Sequence, residues 1–137
     1  MTTDYQILHR TPDIDDFIRL RRVGGLSTFT REAATIGLKG TLFAITVQRD
    51  NQTIGMGRLI GDGGCFFTIV DIVVDPDHQG RGLGTRIVTE LMAHVKTQIP
   101  KSAWINLFAD VPANKLYEKF GFGETAPVTL GMSYRVL

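Results

Sequence analysis

The run CFFTIVDIVV, residues 65–74, passes directly into DPDHQGRGLGTRI, residues 75–87, and this junction constrains the chain more than any other stretch. The first part is nearly all apolar, β-branched or aromatic, which predicts a central strand buried on both faces. Leu83, Ile87, Leu91, Val95 and Ile99 then recur at helical spacing, and Pro100 stops that helix. AWINLFAD, 103–110, predicts the next strand. Strand, helix and strand in this order require a parallel, right-handed crossover.

The remaining elements fill in around that unit. ILHRTPDIDDFIRLRRVGG starts as a short strand and becomes a helix, with Thr11 or Asp13 as cap and Ile14, Phe17, Ile18 and Arg21 at helical spacing. TFTREAATIGL predicts a second short helix, capped by Thr30 and ended by Gly37. TLFAITVQRD and TIGMGRLIGD are strands joined at Asp50-Asn51-Gln52, and GDGG, 61–64, is a second turn. VPANKLYEKFGF predicts a short helix with Asp110 as N-cap and Pro112 in its first turn, and PVTLGMSYRVL closes the chain as a strand. The order β-α-α-β-β-β-α-β-α-β, with antiparallel hairpins in the middle, describes a mixed α+β sheet rather than a repeating Rossmann pattern.

A chain of 137 residues suits one domain, 1–137. The net charge of +1 makes no electrostatic case for nucleic acid or a membrane surface as partner. No run approaches the roughly 20 apolar residues of a membrane span. MTTDYQILHR lacks a signal-peptide layout. The single cysteine, Cys65, excludes an internal disulfide and is expected to be a buried small hydrophobe. A cytoplasmic location is the expectation.

Three glycines stand at alternate positions, Gly80, Gly82 and Gly84. A Walker A loop needs Lys-Ser or Lys-Thr at its end, and here Thr85-Arg86 follows. The dinucleotide fingerprint needs G-x-G-x-x-G against the strand end and an acid about twenty residues on, and neither is present. Two readings remain. The loop can turn successive N–H groups one way as a nest at a helix N-terminus, which suits a pyrophosphate reinforced by Arg81 and Arg86. Alternatively, the glycines simply permit tight strand–helix packing.

The flanking residues carry a resemblance. IVVDPDHQGRGLGTRI resembles the acetyl-CoA signature of the GCN5-related N-acetyltransferase (GNAT) family, with Gln79-Gly80-Arg81-Gly82-Leu83-Gly84 as its core and Ile72-Val73-Val74 and Pro76 before it. ANKLYEKFGF, 113–122, resembles the family's Ala-x-x-Leu-Tyr-x-x-x-Gly-Phe element. A weaker similarity, in VDIVVDP, LFAD and Gly131-Met132, is to serotonin-type arylalkylamine acetyltransferases. Asp110 stands where many family members carry asparagine, so no family role passes to it. The resemblance implies a mostly antiparallel twisted sheet with helices on both faces and one parallel β-α-β pair.

The resemblance also implies acetyl-CoA as cosubstrate and no metal. Backbone groups of Ile72 and Val74 would pair with the pantetheine arm as an added strand, and the loop from Gln79 to Thr85 would hold the pyrophosphate. A backbone N–H near Val74 would stabilise the developing oxyanion. Tyr117 would give its proton to the departing thiolate. Asn114, three residues earlier on one helix face, would either reach the cofactor or be a solvated or capping residue. Asp71 is either a general base or a buried structural acid, with Asp62, Asp110 and Glu32 as weaker bases. His9 and His94 lack partners at metal spacing. His78 and the cluster Arg19, Arg21, Arg22 and Arg31 are expected to be solvated.

The implied activity is transfer of acetyl from acetyl-CoA to a primary amine. The acceptor expected is a small molecule, with an arylalkylamine lining up against LSTF, 26–29, and LFAI, 42–45. Protein or peptide acetylation and an inactive CoA-binding sensor are the alternatives. The closing strand offers a means of pairing or swapping between two subunits of a homodimer.

Overall fold

The structure is a computed structural model that describes residues 4–137. The chain divides into two compact units, Met1–Leu107 and Phe108–Leu137. The first contains β1 (Gln6–Leu8), α1 (Ile14–Val23), α2 (Arg31–Lys39), β2 (Phe43–Arg49), β3 (Gln52–Gly61), β4 (Phe66–Val74), α3 (Leu83–Gln98) and β5 (Trp104–Asn106). The second contains α4 (Asn114–Glu118).

The five strands form one sheet in sequence order. The first three pairings are antiparallel and β4–β5 is parallel, as the crossover through α3 requires. The β2–β3 hairpin turns on Asp50 and Asn51 alone, with φ of 52° and 64°, and Gln52 already belongs to the strand. Two successive left-handed residues give the turn a twist that matches the strands, and Asp and Asn tolerate that region.

Helices cover both faces. Gly57 faces α3, where an added Cβ would lie 2.7 Å from Ile87. Its neighbour Met56 packs on the other face with Phe17 and Leu20 of α1, Ala34 of α2 and Val73. Thr30 caps α2 by accepting the Ala33 N–H at 3.1 Å. The helix runs through Gly37 to Lys39, and Gly40 ends it. Asp13 holds the N-cap position of α1 without a side-chain cap bond.

Several expectations need correction. β4 is not uniformly buried: Phe67, Ile69, Asp71 and Val73 are buried, while Thr68, Val70 and Ile72 are half-buried. The alternation runs through the whole strand, including the stretch from Phe66 to Thr68 that pairs with β5. Cys65 is exposed, because it belongs to the β3–β4 turn, where its N–H donates to the Asp62 carboxylate. Residues 127–137 form no strand. Their alternating pattern supplies one side of a ladder, and a strand exists only with the other.

In the second unit, α4 starts after Ala113, so Pro112 precedes the helix. The Asp110 carboxylate does not cap it; the Asp110 carbonyl accepts the Ala113 N–H at 2.7 Å. Gly131 lies against the Phe108 ring, where an added Cβ would stand 2.5 Å from Cε1.

Candidate active site

The interruption of β4 at Asp71 organises the first unit's site. Met56 pairs with Val73 and Arg58 with Val70, so Asp71 and Ile72 together oppose Gly57. This is a β-bulge, and Asp71 takes a φ of 61° within it. Gly57 makes room, since a Cβ there would meet Ile72 Cδ1 at 2.6 Å. The bulge directs Ile72 toward α3 and Asp71 toward α1 and α2.

Asp71 is buried, and both its oxygens are engaged. Oδ1 accepts from Arg21 and Oδ2 accepts from Arg58 Nε at 2.6 Å. Arg21 also donates to the Ser27 carbonyl at 2.8 Å and hydroxyl at 3.0 Å, and its guanidinium lies 4.6 Å from the Phe29 ring centroid. Arg58 donates to the Gly37 carbonyl and to the Thr41 hydroxyl at 2.6 Å. One carboxylate therefore ties the bulge to the α1–α2 loop and to the end of α2. Of the two readings the sequence left for Asp71, the geometry favours the structural acid: both carboxylate oxygens are taken up by buried guanidinium donors. Arg21, expected on a solvated face, is buried. The importance of Arg58 was missed; the available signal was an acid inside an apolar strand, which demands a buried cation.

Beyond Thr68 no strand pairs with the β4 rim among the described residues, and its polar groups can be placed. Asp75 N–H donates to the Ile54 carbonyl of β3 at 2.7 Å. Across that trans peptide the Val74 carbonyl points the other way, toward the rim. Strand alternation turns Ile72 to the same side. The Gln79 side chain donates to the Val74 carbonyl at 3.0 Å, while the Val74 N–H beside it remains directed at the rim. Val73 instead faces inward, with its side chain in the α1 cluster.

The glycine loop follows. Asp75 caps a single 3-10 turn, Pro76–His78, and Gln79 leads out of it in extended conformation. Gly80 and Gly82 have φ of 77° and 78°, a region that costs glycine little. A Cβ built at Gly80, Gly82 or Gly84 meets nothing within 4 Å, so open space borders this backbone. That observation speaks against tight packing as the reason for the glycines. Gly82 is the N-cap of α3 and contributes no side-chain cap. The first turn closes with Arg86 N–H to the Gly82 carbonyl, which leaves the amides of Leu83, Gly84 and Thr85 as orphan donors. The Leu83 side chain is buried and anchors the helix, so only its backbone faces the loop. Arg81, Thr85 and Arg86 are exposed. His78 is half-buried rather than solvated, its Nδ1 2.9 Å from the Tyr5 hydroxyl.

Other sequence candidates have structural occupations. Asp62 accepts the N–H groups of Gly64, Cys65 and Phe66, and these bonds lower its pKa below the usual carboxylate value. Of LFAI, Phe43 stacks on His94 at 3.9 Å and Ala44 and Ile45 are core residues of β2, while Leu42 is exposed. His9 pairs with Glu90 at 2.8 Å. Among the described residues no cluster of His, Cys, Asp and Glu is arranged to hold a metal, and no helix is long and apolar enough to cross a membrane.

In the second unit, Tyr117 is buried and meets Phe122 edge-on, with ring centroids 6.2 Å apart. Burial pushes its pKa above the ordinary phenol value, and the negative charge of Asp110 pushes the same way. Asn114 donates weakly to Glu118 at 3.4 Å, while its Oδ1 is buried with no hydrogen-bond partner among the described residues. Such an orphaned acceptor is costly unless a ligand donor completes it.

Residues 40–124 match the acetyltransferase (GNAT) domain family, and the chain belongs to that family. A solved structure from meticillin-resistant Staphylococcus aureus, described as a probable acetyltransferase, aligns over 97% of this chain and 100% of its own, with 41% identity and a TM-score of 0.92. The chloroplastic GCN5-related N-acetyltransferase 2 of Arabidopsis thaliana is 38% identical over 76 residues, 55% of this chain and 28% of that protein. The [ribosomal protein bS18]-alanine N-acetyltransferase of Salmonella typhimurium is 38% identical over 58 residues, 42% of this chain and 39% of that protein. The chain thus spans less than half the length of either curated relative.

Proposed function

We propose that residues 1–137 work as one acetyltransferase domain that moves an acetyl group from acetyl-CoA to a primary amine. The observation that carries this is the pairing of an open glycine nest with an open β4 rim, separated only by Asp75–Gln79. The nest and helix N-terminus suit a diphosphate. The rim suits an extended arm bearing amides, taken up by strand addition at Ile72 and Val74. Within the second unit, the Asn114 Oδ1, without a partner among the described residues, suits a ligand donor.

Acetyl-CoA supplies the activated acyl group as a thioester. The protein's own contributions are binding, orientation and one proton. The rim-facing Val74 N–H is the donor for the oxygen that gains charge. Tyr117 Oη holds the proton that the departing thiolate takes, and its raised pKa keeps the phenol protonated at neutral pH. With Asp71 neutralised by two arginines, no general base is assigned.

The acceptor proposed is a small amine, for which Phe29 on the α1–α2 loop, over Arg21, is the aromatic surface. A second reading, acetylation of a protein N-terminus, is favoured by the similarity to the ribosomal-protein alanine acetyltransferase.

Calorimetry with acetyl-CoA tests the cofactor assignment. Gly82→Val, which forces a β-branched residue into a φ of 78°, should abolish measurable binding while the protein stays folded. NAD and ATP should bind poorly. Unchanged acetyl-CoA affinity in the folded variant contradicts the assignment.

A further inference from the structure

The stretch Asp75–Gln79 joins the β4 rim to the glycine nest, so its placement sets where the nest lies relative to the rim. Its first residue is tied to the sheet by the Asp75 N–H bond to the Ile54 carbonyl, and Arg19 Nη1 of α1 stands 3.8 Å from the Asp75 carboxylate. The bonds that shape the turn itself are local. The Asp75 carboxylate accepts the Asp77 N–H at 2.9 Å, and the Asp75 carbonyl accepts the His78 N–H at 2.8 Å. Such bonds fix the form of a turn and not its position on the molecule. A contact with His78 reaches much further. Its Nδ1 lies 2.9 Å from the hydroxyl of Tyr5, 73 residues away in the chain, and the two rings meet edge-on with centroids 5.6 Å apart. Tyr5 is held in turn. It precedes β1, and continuing the Gln6–Gln48 register sets it opposite Arg49. Arg49 Nη1 donates to the Tyr5 hydroxyl at 3.1 Å, and its guanidinium lies 5.2 Å from the ring centroid.

We propose that Tyr5 is a positioning residue for cofactor binding: it accepts from Arg49, donates its phenolic proton to His78 Nδ1, and so latches the Asp75–Gln79 turn, with the glycine nest behind it, to β1 and β2. The proton count gives the direction. A guanidinium only donates, so the Tyr5 oxygen accepts from Arg49 and its own proton is left for His78. A neutral imidazole that accepts at Nδ1 carries its proton at Nε2. The consequence is preorganisation. The nest is bordered by open space and includes two glycines at positive φ, so it loses conformational freedom when a diphosphate settles on it. A latch formed on folding removes part of that loss from the binding step. The inference rests on the acetyl-CoA reading above.

Tyr5→Phe removes the hydroxyl and keeps the ring. Calorimetry should show acetyl-CoA binding weakened about 3- to 10-fold, the effect of one hydrogen bond. The kcat at saturating acetyl-CoA should stay within about twofold of the wild type, because the latch acts on binding and not on the chemical step. His78→Phe should weaken binding to a similar extent, and the double variant no further, since both substitutions remove the same bond. In long-range proton–nitrogen spectra of the free wild type, the neutral His78 ring should carry its proton at Nε2. Unchanged affinity in folded Tyr5→Phe overturns the latch. Additive losses in the double variant, a proton on Nδ1, or a kcat that falls as far as the affinity overturn it as well. If the His78 variant does not fold, Tyr5→Phe and the spectra still decide. A wild type that fails to bind acetyl-CoA is a different result: it overturns the cofactor reading, and the role of the latch with it.

Discussion

Tyr117 carries the sharpest residue-level expectation. As the donor to the thiolate, it matters in the transition state and hardly at all when acetyl-CoA merely binds. Tyr117→Phe should lower kcat by about 10²- to 10³-fold with little change in acetyl-CoA affinity. A tyrosine that only packs would instead lose roughly 1 kcal/mol of stability with turnover intact, so rates and melting temperature on one variant separate the roles. Its titration offers a second handle. Asp110 disfavours the phenolate, so Asp110→Asn removes one of the two causes of the raised pKa. The alkaline limb of kcat should then move to lower pH, and ultraviolet titration of the buried phenol should shift the same way; a limb that moves upward or stays put counts against the coupling. Asp71 illustrates a limit of reading residues singly. Its presence in an apolar strand was visible, but not its φ of 61°, nor the two arginines from α1 and β3 that close on it. Asp71→Ala would leave two guanidinium groups buried and unpaired, and urea unfolding should show a loss of about 3–5 kcal/mol.

At the scale of elements, periodicity and turn chemistry made most of the sheet readable. The glycine helix, the Thr30 cap and the parallel crossover follow from spacing and local hydrogen bonding. The bulge does not, because it depends on a register between strands that one strand's pattern cannot express. Gly57 opposite the bulge is its hidden partner. Gly57→Ala puts a methyl group 2.6 Å from Ile72 and 2.7 Å from Ile87, and should cost about 1–3 kcal/mol by overpacking. Because Ile72 belongs to the open rim, the same variant should bind acetyl-CoA more weakly, and calorimetry alongside denaturation checks both. The β3–β4 turn has its own signature. Asp62 has its folded pKa lowered by three backbone N–H bonds, so its stabilisation is present above the ordinary carboxylate value near 3.9 and is lost as pH falls through the folded value. Amides of Gly64 and Cys65 should lose exchange protection over that acid window in the wild type, and in Asp62→Ala the loss should already be present at neutral pH.

For the molecule as a whole, the motifs in 72–85 and 113–122 led to the family that residues 40–124 then matched. The acceptor was less legible, because it depends on loops and side chains whose surroundings no spacing rule supplies; LFAI looked like a pocket wall and is largely β2 core. The closing strand was misread for a related reason, since the sequence states a segment's preference and its partner decides whether that preference is met. The central claim is amine-dependent acetyl transfer, and release of free CoA thiol tests it most directly. With acetyl-CoA held saturating, a panel of small amines, tryptamine-like compounds first, and peptides with free N-termini or lysines should show thiol release that requires an acceptor and saturates with it. The account predicts the highest kcat/KM for a small amine. Tight acetyl-CoA binding with no acceptor-dependent release across the whole panel would contradict it and leave a binding module in place of an enzyme.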